Sequence, residues 1–274
     1  MSRPRDAAFV EELLESLVFE GYALYPYTAG ATKNATPTPF GIVYPPAYAA
    51  AADGPLDHLQ AQCLARTGAE AAFTAEVRFL QAEGERHRAT ERRVALAGPG
   101  EAPITAPPLR ARVALAVAER EPGLAEVTLR VENATPVAED TGRAEALVAS
   151  LLSTHVVLRA AGATFVSPLE AEGCANVNTW PFLATDADDV VVGGAMVLPD
   201  HPELAPQSRG SMFDGTEIEE ALLLHVLALS DAEREQIARE DPAVREMVAR
   251  AAAAAPDELM RLHGVMRPAD EGDR

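Results

Sequence analysis

The sequence predicts an α+β protein with a mainly antiparallel, β-sandwich-like core, an N-terminal helix and a helical C-terminal annex. Over most of residues 20–198, apolar residues alternate with polar or small ones, the period of half-buried strands. Apolar residues recur at helical spacing in residues 6–18 and again beyond residue 215. We therefore predict a β-rich core domain in residues 1–199, and a loop and helical segment packed on it in residues 200–274.

Two different spacings of apolar residues predict the N-terminal elements. Residues 6–18 place Phe9 and Leu13 on one face with acidic residues opposite, which predicts an amphipathic helix. The period then changes to two, and short strands are predicted at residues 22–24 and 40–44. Nearby prolines confine both strands to edges or ends of a sheet.

The central strands have the most regular alternation. Separate strands are predicted at residues 59–63 and 73–79, and a third at residues 94–96. The clearest pair is residues 109–117 with residues 127–131, separated by glutamate, proline and glycine. This pattern predicts a β-hairpin with one buried face.

The next segment mixes both periods. Residues 143–153 are predicted to form a short helix, and Ala161 with Gly162 a turn between two strands. Residues 189–199 predict a further strand, in which the glycine pair 193–194 indicates a β-bulge.

Beyond residue 200 the pattern becomes helical. Residues 216–228 are apolar at helical spacing, and Ser230 with Glu233 forms a capping box. Asp241 before a proline is typical of a helix start, and residues 255–262 can form a last helix.

The charge of the chain excludes two classes of partner. With 23 basic and 42 acidic residues, the formal net charge is −19, and no run of Lys or Arg interrupts this balance. Nucleic acids and anionic membranes are therefore not expected as partners. No long apolar stretch or signal peptide is present, so we expect a cytoplasmic protein without membrane insertion. Cys63 and Cys174 are far apart in sequence, and we expect both to be reduced.

Motifs for known chemistry are absent from the sequence. There is no HExxH, CxxC, GxSxG or phosphate-binding loop. Cys174, Asp200, His201, Asp214 and Glu217 have no recognised ligand spacing, so no metal site is predicted. No cofactor and no catalytic residue can be assigned.

Residue types that are rare in this chain collect in three loop-like segments: YALYPYTAGATKNATPTPFGIVYP, SPLEAEGCANVNTWPFLA and VLPDHPELAPQSRGSMFDGTEIEE. They include the only lysine and the only tryptophan. Because loops held by a rigid sheet often carry binding sites, we predict that the three segments share one surface site. The alternative is that these residues only satisfy turn geometry and backbone hydrogen bonds. The candidate partner- or ligand-binding residues are Tyr25, Tyr27, Lys33, Asn34, Asn176, Asn178, Trp180, Arg209, Asp214 and Glu217.

Two blocks carry a resemblance to a known family. EGYALYPYTAGATKNATPTPFGIVYPPAYA and LAPQSRGSMFDGTEIEEALLLHVLALSDAER resemble an uncharacterised bacterial family associated with gene clusters of NiFe hydrogenases of the actinobacterial type. The likeness spans residues 12–250. It implies an accessory role in hydrogenase maturation or assembly, with a hydrogenase subunit as protein partner, and it implies no catalytic residue.

Three functions remain open at the level of sequence. The first is an accessory or assembly protein that acts by binding a protein partner. The second is a small-ligand or metal-binding module. The third is an unrecognised enzyme using Lys33, Asp214 and Glu217.

Overall fold

Eight strands make up about half of the described residues. The computed structural model of the protein describes residues 4–18, 40–51, 53–82 and 89–203, together with residues 229–232, 235, 249 and 253. The strands are β1 (His58–Ala82), β2 (Ala89–Leu96), β3 (Gly100–Ala106), β4 (Leu109–Glu121), β5 (Leu124–Asn133), β6 (Leu152–Phe165), β7 (Trp180–Leu183) and β8 (Val190–Gly194).

These strands form one antiparallel sheet in the order β3-β4-β5-β1-β6-β8-β7, with β2 paired to β1. The predicted antiparallel, β-rich class is confirmed, and the described strands lie in a single hydrogen-bonded sheet rather than in two. The main hydrophobic core takes residues from every one of these strands.

The long strand β1 stands where the sequence predicts two strands, at residues 59–63 and 73–79. Its first half pairs with β5, and its second half pairs with β2 and β6. The prediction of two strands is wrong because the register shifts between Thr67 and Ala72, where most residues are exposed. This interrupts the alternation without ending the strand.

Strand β6 also continues through Ala161 and Gly162, so the turn predicted there is wrong. Gly162 has a left-handed φ of 66°, and a Cβ at this position would lie 3.1 Å from the carbonyl oxygen of Glu70. Glycine is needed here for the close approach of β1 to β6, not for a reversal of the chain.

The predicted hairpin is confirmed as β4 and β5. Val113 lies opposite Val131, and Leu115 lies opposite Leu129. These four side chains and Val127 are buried in the main core, as the alternation predicts. This buried face of the hairpin supplies apolar side chains to the main hydrophobic core.

The predicted N-terminal helix is confirmed as α1 (Ala7–Val18). The carboxylate of Asp6 caps it by accepting hydrogen bonds from the backbone N–H groups of Ala8 and Phe9. The apolar face of α1 packs on Phe182, Val192 and their neighbours on the outer face of β6, β7 and β8. Both faces of this part of the sheet are therefore covered.

Two short helices complete the described elements, and only one is predicted. The helix α3 (Arg143–Val148) confirms the prediction at residues 143–153, although it is shorter. At residues 40–44 the predicted strand is wrong, since only an isolated bridge joins Val43 to Leu151. The helix α2 (Pro46–Ala51) follows at once, and its proline start and alanine content favour a helix.

The last part of the sheet differs from the prediction in detail. Strands β3 and β7 are missed because each is short and contains a proline, which argues against a strand. Strand β8 confirms the strand predicted at residues 189–199, but Gly193 pairs regularly and forms no bulge. A Cβ on Gly193 would lie 2.6 Å from Cγ2 of Val156, so close packing requires this glycine.

The predicted C-terminal helices and the division at residue 200 fall mostly outside the described residues and stay predictions. Within the described part of the chain, no helix has the length and apolar character that crossing a membrane requires.

Candidate functional site

An apolar groove of about 240 Å³ lies beside the first residues of β7. Its apolar lining consists of Pro168, Leu169, Trp180, Pro181, Val197 and Leu198. Its polar lining consists of Asn176, Asn178 and Thr179. We call this feature the Trp180 groove.

The Trp180 groove gathers most of the large apolar side chains that the described residues expose. These exposed side chains are Phe40, Leu56, Leu169, Trp180 and Val197. Three of them line the groove, with exposed fractions of 60% for Leu169, 48% for Trp180 and 67% for Val197. Single exposed apolar residues are ordinary, whereas a contiguous group marks a binding surface.

Backbone hydrogen bonds hold the polar part of the groove in place. Oδ1 of Asn176 accepts a hydrogen bond of 2.8 Å from the backbone N–H of Gln62. Nδ2 of Asn178, a residue with a left-handed φ of 57°, donates to the carbonyl oxygen of Ile42 at 2.8 Å. These two amides therefore fix the loops, as the turn-and-backbone interpretation expects, and they present the apolar rim from a rigid base.

The edge of β7 that faces away from β8 cannot pair with another strand. The backbone N–H of Leu183 donates to Oδ1 of Asp200 at 2.7 Å, and the N–H of His201 donates to the carbonyl oxygen of Leu183 at 2.7 Å. Since outward-facing residues of a strand recur with period two, Pro181 also faces this edge and has no N–H to offer. A partner at this place contacts side chains and does not extend the sheet.

The structure brings the described parts of the three rare-residue segments together. Asn178 of the second segment bonds to Ile42 of the first, and Val197 and Leu198 of the third line the groove with Trp180. The shared site as a whole stays a prediction, because its other members lie outside the described residues. These members are Tyr25, Tyr27, Lys33, Asn34, Arg209, Asp214 and Glu217.

Sequence reasoning missed Leu169 and Val197 as members of the surface. Both lie within the three rare-residue segments, but aliphatic residues are common in this chain and carry no chemical signal of their own. Leu169 stands between a proline and a glutamate in a loop, and an aliphatic residue in so polar a setting is the signal that could have found it.

No protein-family model and no curated protein matches the chain.

Asp200 and His201, two of the five residues without a recognised ligand spacing, have other partners within the protein. Oδ1 of Asp200 accepts the N–H of Leu183, and Ser167 donates its hydroxyl to Oδ2 of Asp200. Nε2 of His201 lies 2.8 Å from Oδ1 of Asp188. Among the described residues, no group of three or more His, Cys, Asp and Glu side chains could hold a metal ion. Asp214 and Glu217 lie outside them.

The two cysteines are free thiols in different settings. Burial in the main core raises the pKa of the Cys63 thiol, so this side chain behaves as a small apolar residue. Burial also raises the pKa of Cys174, which is partly exposed. Neither has the lowered pKa that a nucleophilic cysteine requires.

A cluster of polar side chains lies in the interior of the protein, where β1 pairs with β6. Arg78 is buried and forms ion pairs with Glu76 and with Glu11 of α1, which tie the helix to the sheet. Opposite Arg78, His155 donates from Nδ1 to the carbonyl oxygen of Ser153 at 2.8 Å. Burial, with a smaller contribution from the charge of Arg78, lowers the pKa of His155 to about 4. His155 is therefore neutral near pH 7 and packs as a core residue.

Proposed function

We propose that this chain is an accessory or assembly protein that binds a protein partner through the Trp180 groove. The observation that carries the proposal is the cluster of Leu169, Trp180 and Val197, which are about half or more exposed around one groove. Tryptophan held at a surface among aliphatic side chains is the residue type most enriched in the energetic centres of protein interfaces. The hydrogen-bonded loops beneath it provide a preorganised surface, which lowers the entropic cost of association.

A protein partner fits the groove better than a small ligand does. Sites for small molecules enclose most of the ligand and measure about 300–1,000 Å³. The Trp180 groove measures about 240 Å³, and its largest apolar side chains stand at the rim in contact with solvent. These rim residues can be buried only by a partner that extends beyond the groove.

A hydrogenase subunit is the partner that the sequence resemblance implies. Within this proposal, the chain would hold such a subunit during maturation or assembly. The enzyme alternative rests on Lys33, Asp214 and Glu217, which lie outside the described residues, and no contact among described residues adds to it.

Affinity capture with matched variants tests the proposal. The baits are the tagged wild-type chain, Trp180→Ala and the control Leu56→Ala, which removes an exposed apolar side chain that does not line the groove. We expect the wild type and Leu56→Ala to retain the same stoichiometric partner, and Trp180→Ala to lose most of it, because central aromatic anchors contribute about 2 kcal/mol or more to binding. Equal capture by all three baits, with thermal melts showing that each is folded, would exclude the groove as the docking surface.

A further inference from the structure

The charge around the Trp180 groove is acidic. Between Arg159 and Arg209 the sequence has no lysine or arginine. In the same stretch it has seven acidic residues: Glu170, Glu172, Asp186, Asp188, Asp189, Asp200 and Glu203. All nine residues that line the groove come from this stretch, so the segments that form the groove contribute acidic side chains and no lysine or arginine.

Most of these carboxylates are already engaged within the protein. Asp186 and Glu203 pair with Arg5, and Asp188 pairs with His201. Asp189 accepts a hydrogen bond from the hydroxyl of Thr185. Asp200 is held by the contacts described above.

Glu170 and Glu172 are the exception. Both are exposed, and neither has an ion pair with another described residue. Glu170 directly follows the groove residue Leu169, in a turn where its N–H donates to the carbonyl oxygen of Ser167 at 3.1 Å. The guanidinium group of Arg120 lies beside Gly173 of this loop, and it pairs with Glu126 at 3.6 Å. The loop therefore keeps two negative charges available to a partner.

The size of the groove limits what can enter it. At about 30 Å³ per water molecule, 240 Å³ corresponds to about eight waters, which is room for one large apolar side chain and not for a helix. Because the edge of β7 is closed, a bound segment is held by this side chain and by charges beside it.

We infer that the partner presents one large apolar side chain flanked by lysine or arginine, which enters the Trp180 groove while the cationic residues contact Glu170 and Glu172. This inference rests on the proposed function and names the chemistry that the groove recognises. A second copy of this chain is a poor occupant, since its formal net charge is −19.

Synthetic peptides without tryptophan test the inference directly, because Trp180 is the only tryptophan and its emission reports on the groove. The first peptide has a central leucine flanked by arginines. The second replaces the arginines with serines, and the third replaces the leucine with alanine. Each is titrated into the wild-type protein, and into Glu170→Gln and Glu172→Gln, at low and at physiological salt.

We expect the first peptide to shift the emission of Trp180 and to saturate. Its affinity should fall about two- to fivefold for each glutamate replaced, as is typical of exposed ion pairs, and should fall further with salt. The alanine peptide should bind about tenfold more weakly, because the groove then stays unfilled.

Several results would overturn the inference. Equal binding of the arginine and serine peptides would show that charge has no part in recognition, and equal binding of the leucine and alanine peptides would show that the groove has none. Trp180-dependent capture of a partner, with no peptide shifting the emission, would leave the proposed function standing and exclude this recognition chemistry. Concentration-dependent dimerisation that changes the emission of Trp180 would identify a second copy as the occupant instead.

Discussion

Removing the imidazole of His155 should make the stability of the protein less sensitive to acid. The pKa of His155 lies at about 4 in the folded protein and at 6.5 when the side chain is unperturbed. Below pH 6.5 the unfolded chain binds a proton that the folded chain does not, so the free energy of unfolding falls as the pH falls from about 6.5 to about 4. The two pKa values differ by about 2.5, which at about 1.4 kcal/mol per unit gives about 3.5 kcal/mol in total. About 3 kcal/mol of this is lost by pH 4, because half of the folded molecules are then protonated as well.

The substitution His155→Asn isolates this loss. The amide can still donate to the carbonyl oxygen of Ser153, but it does not titrate. At pH 7 the variant should be less stable than wild type, because the smaller side chain leaves a cavity. Urea denaturation at pH values from 7 to 4 should show the difference in unfolding free energy shrinking by about 3 kcal/mol.

The buried neighbour Thr154 offers a control. Thr154→Val removes a hydroxyl without adding or removing a titrating group, so its effect on stability should be the same at every pH. The reasoning is refuted if the difference between wild type and His155→Asn stays constant from pH 7 to pH 4, since His155 would then have the same pKa in both states.

Three further predictions concern the main core, the packing around Gly193 and the ion pair between Glu11 and Arg78. Leu129→Asp buries an unpaired carboxylate in the main core and should destabilise the protein by about 4 kcal/mol or more; an unchanged thermal melt would show that the β4–β5 pairing is misassigned. Gly193→Ala should lower the free energy of unfolding, measured by urea denaturation, by about 1–3 kcal/mol, because the added Cβ meets Val156. The control Gly98→Ala, which has open space around it, should change this free energy by less than about 0.5 kcal/mol. Glu11→Gln weakens the ion pair to Arg78 and should lower the free energy of unfolding by about 1 kcal/mol at pH 7. Because Arg78 lowers the pKa of Glu11, the difference in stability between wild type and Glu11→Gln should disappear as the pH falls below the pKa of Glu11 in the folded protein.

The sequence is most informative where one period holds over a whole element. The amphipathic helix at residues 6–18 and the hairpin containing Leu129 are predicted correctly because each buries a face set by its own periodicity. Two of the errors occur where the role of a glycine is ambiguous in the sequence. From the sequence, Gly162 predicts a turn and Gly193 predicts a bulge. In the structure, both glycines are required because neighbouring strands pack closely against them. This packing depends on tertiary contacts, which no local sequence pattern contains.

The candidate site shows the same limit. Asn176, Asn178 and Trp180 are selected from the sequence because rare residue types in loops stand out against the composition of this chain, and all three line the Trp180 groove. The sequence does not predict that these three residues have different roles. Two asparagines bind backbone groups and the tryptophan faces solvent, which follows from where the loops cross β1 and the segment near Ile42.

The exposure of Trp180 in the partner complex is the most direct test of the central claim that the groove is a docking surface. Fluorotryptophan incorporated into this chain alone gives one fluorine NMR resonance, because the chain has a single tryptophan. We predict that this resonance shifts and becomes protected from a soluble paramagnetic quencher when the stoichiometric partner is added. A resonance with unchanged position and quenching in a fully formed complex would contradict the account, because Trp180 would then lie outside the interface.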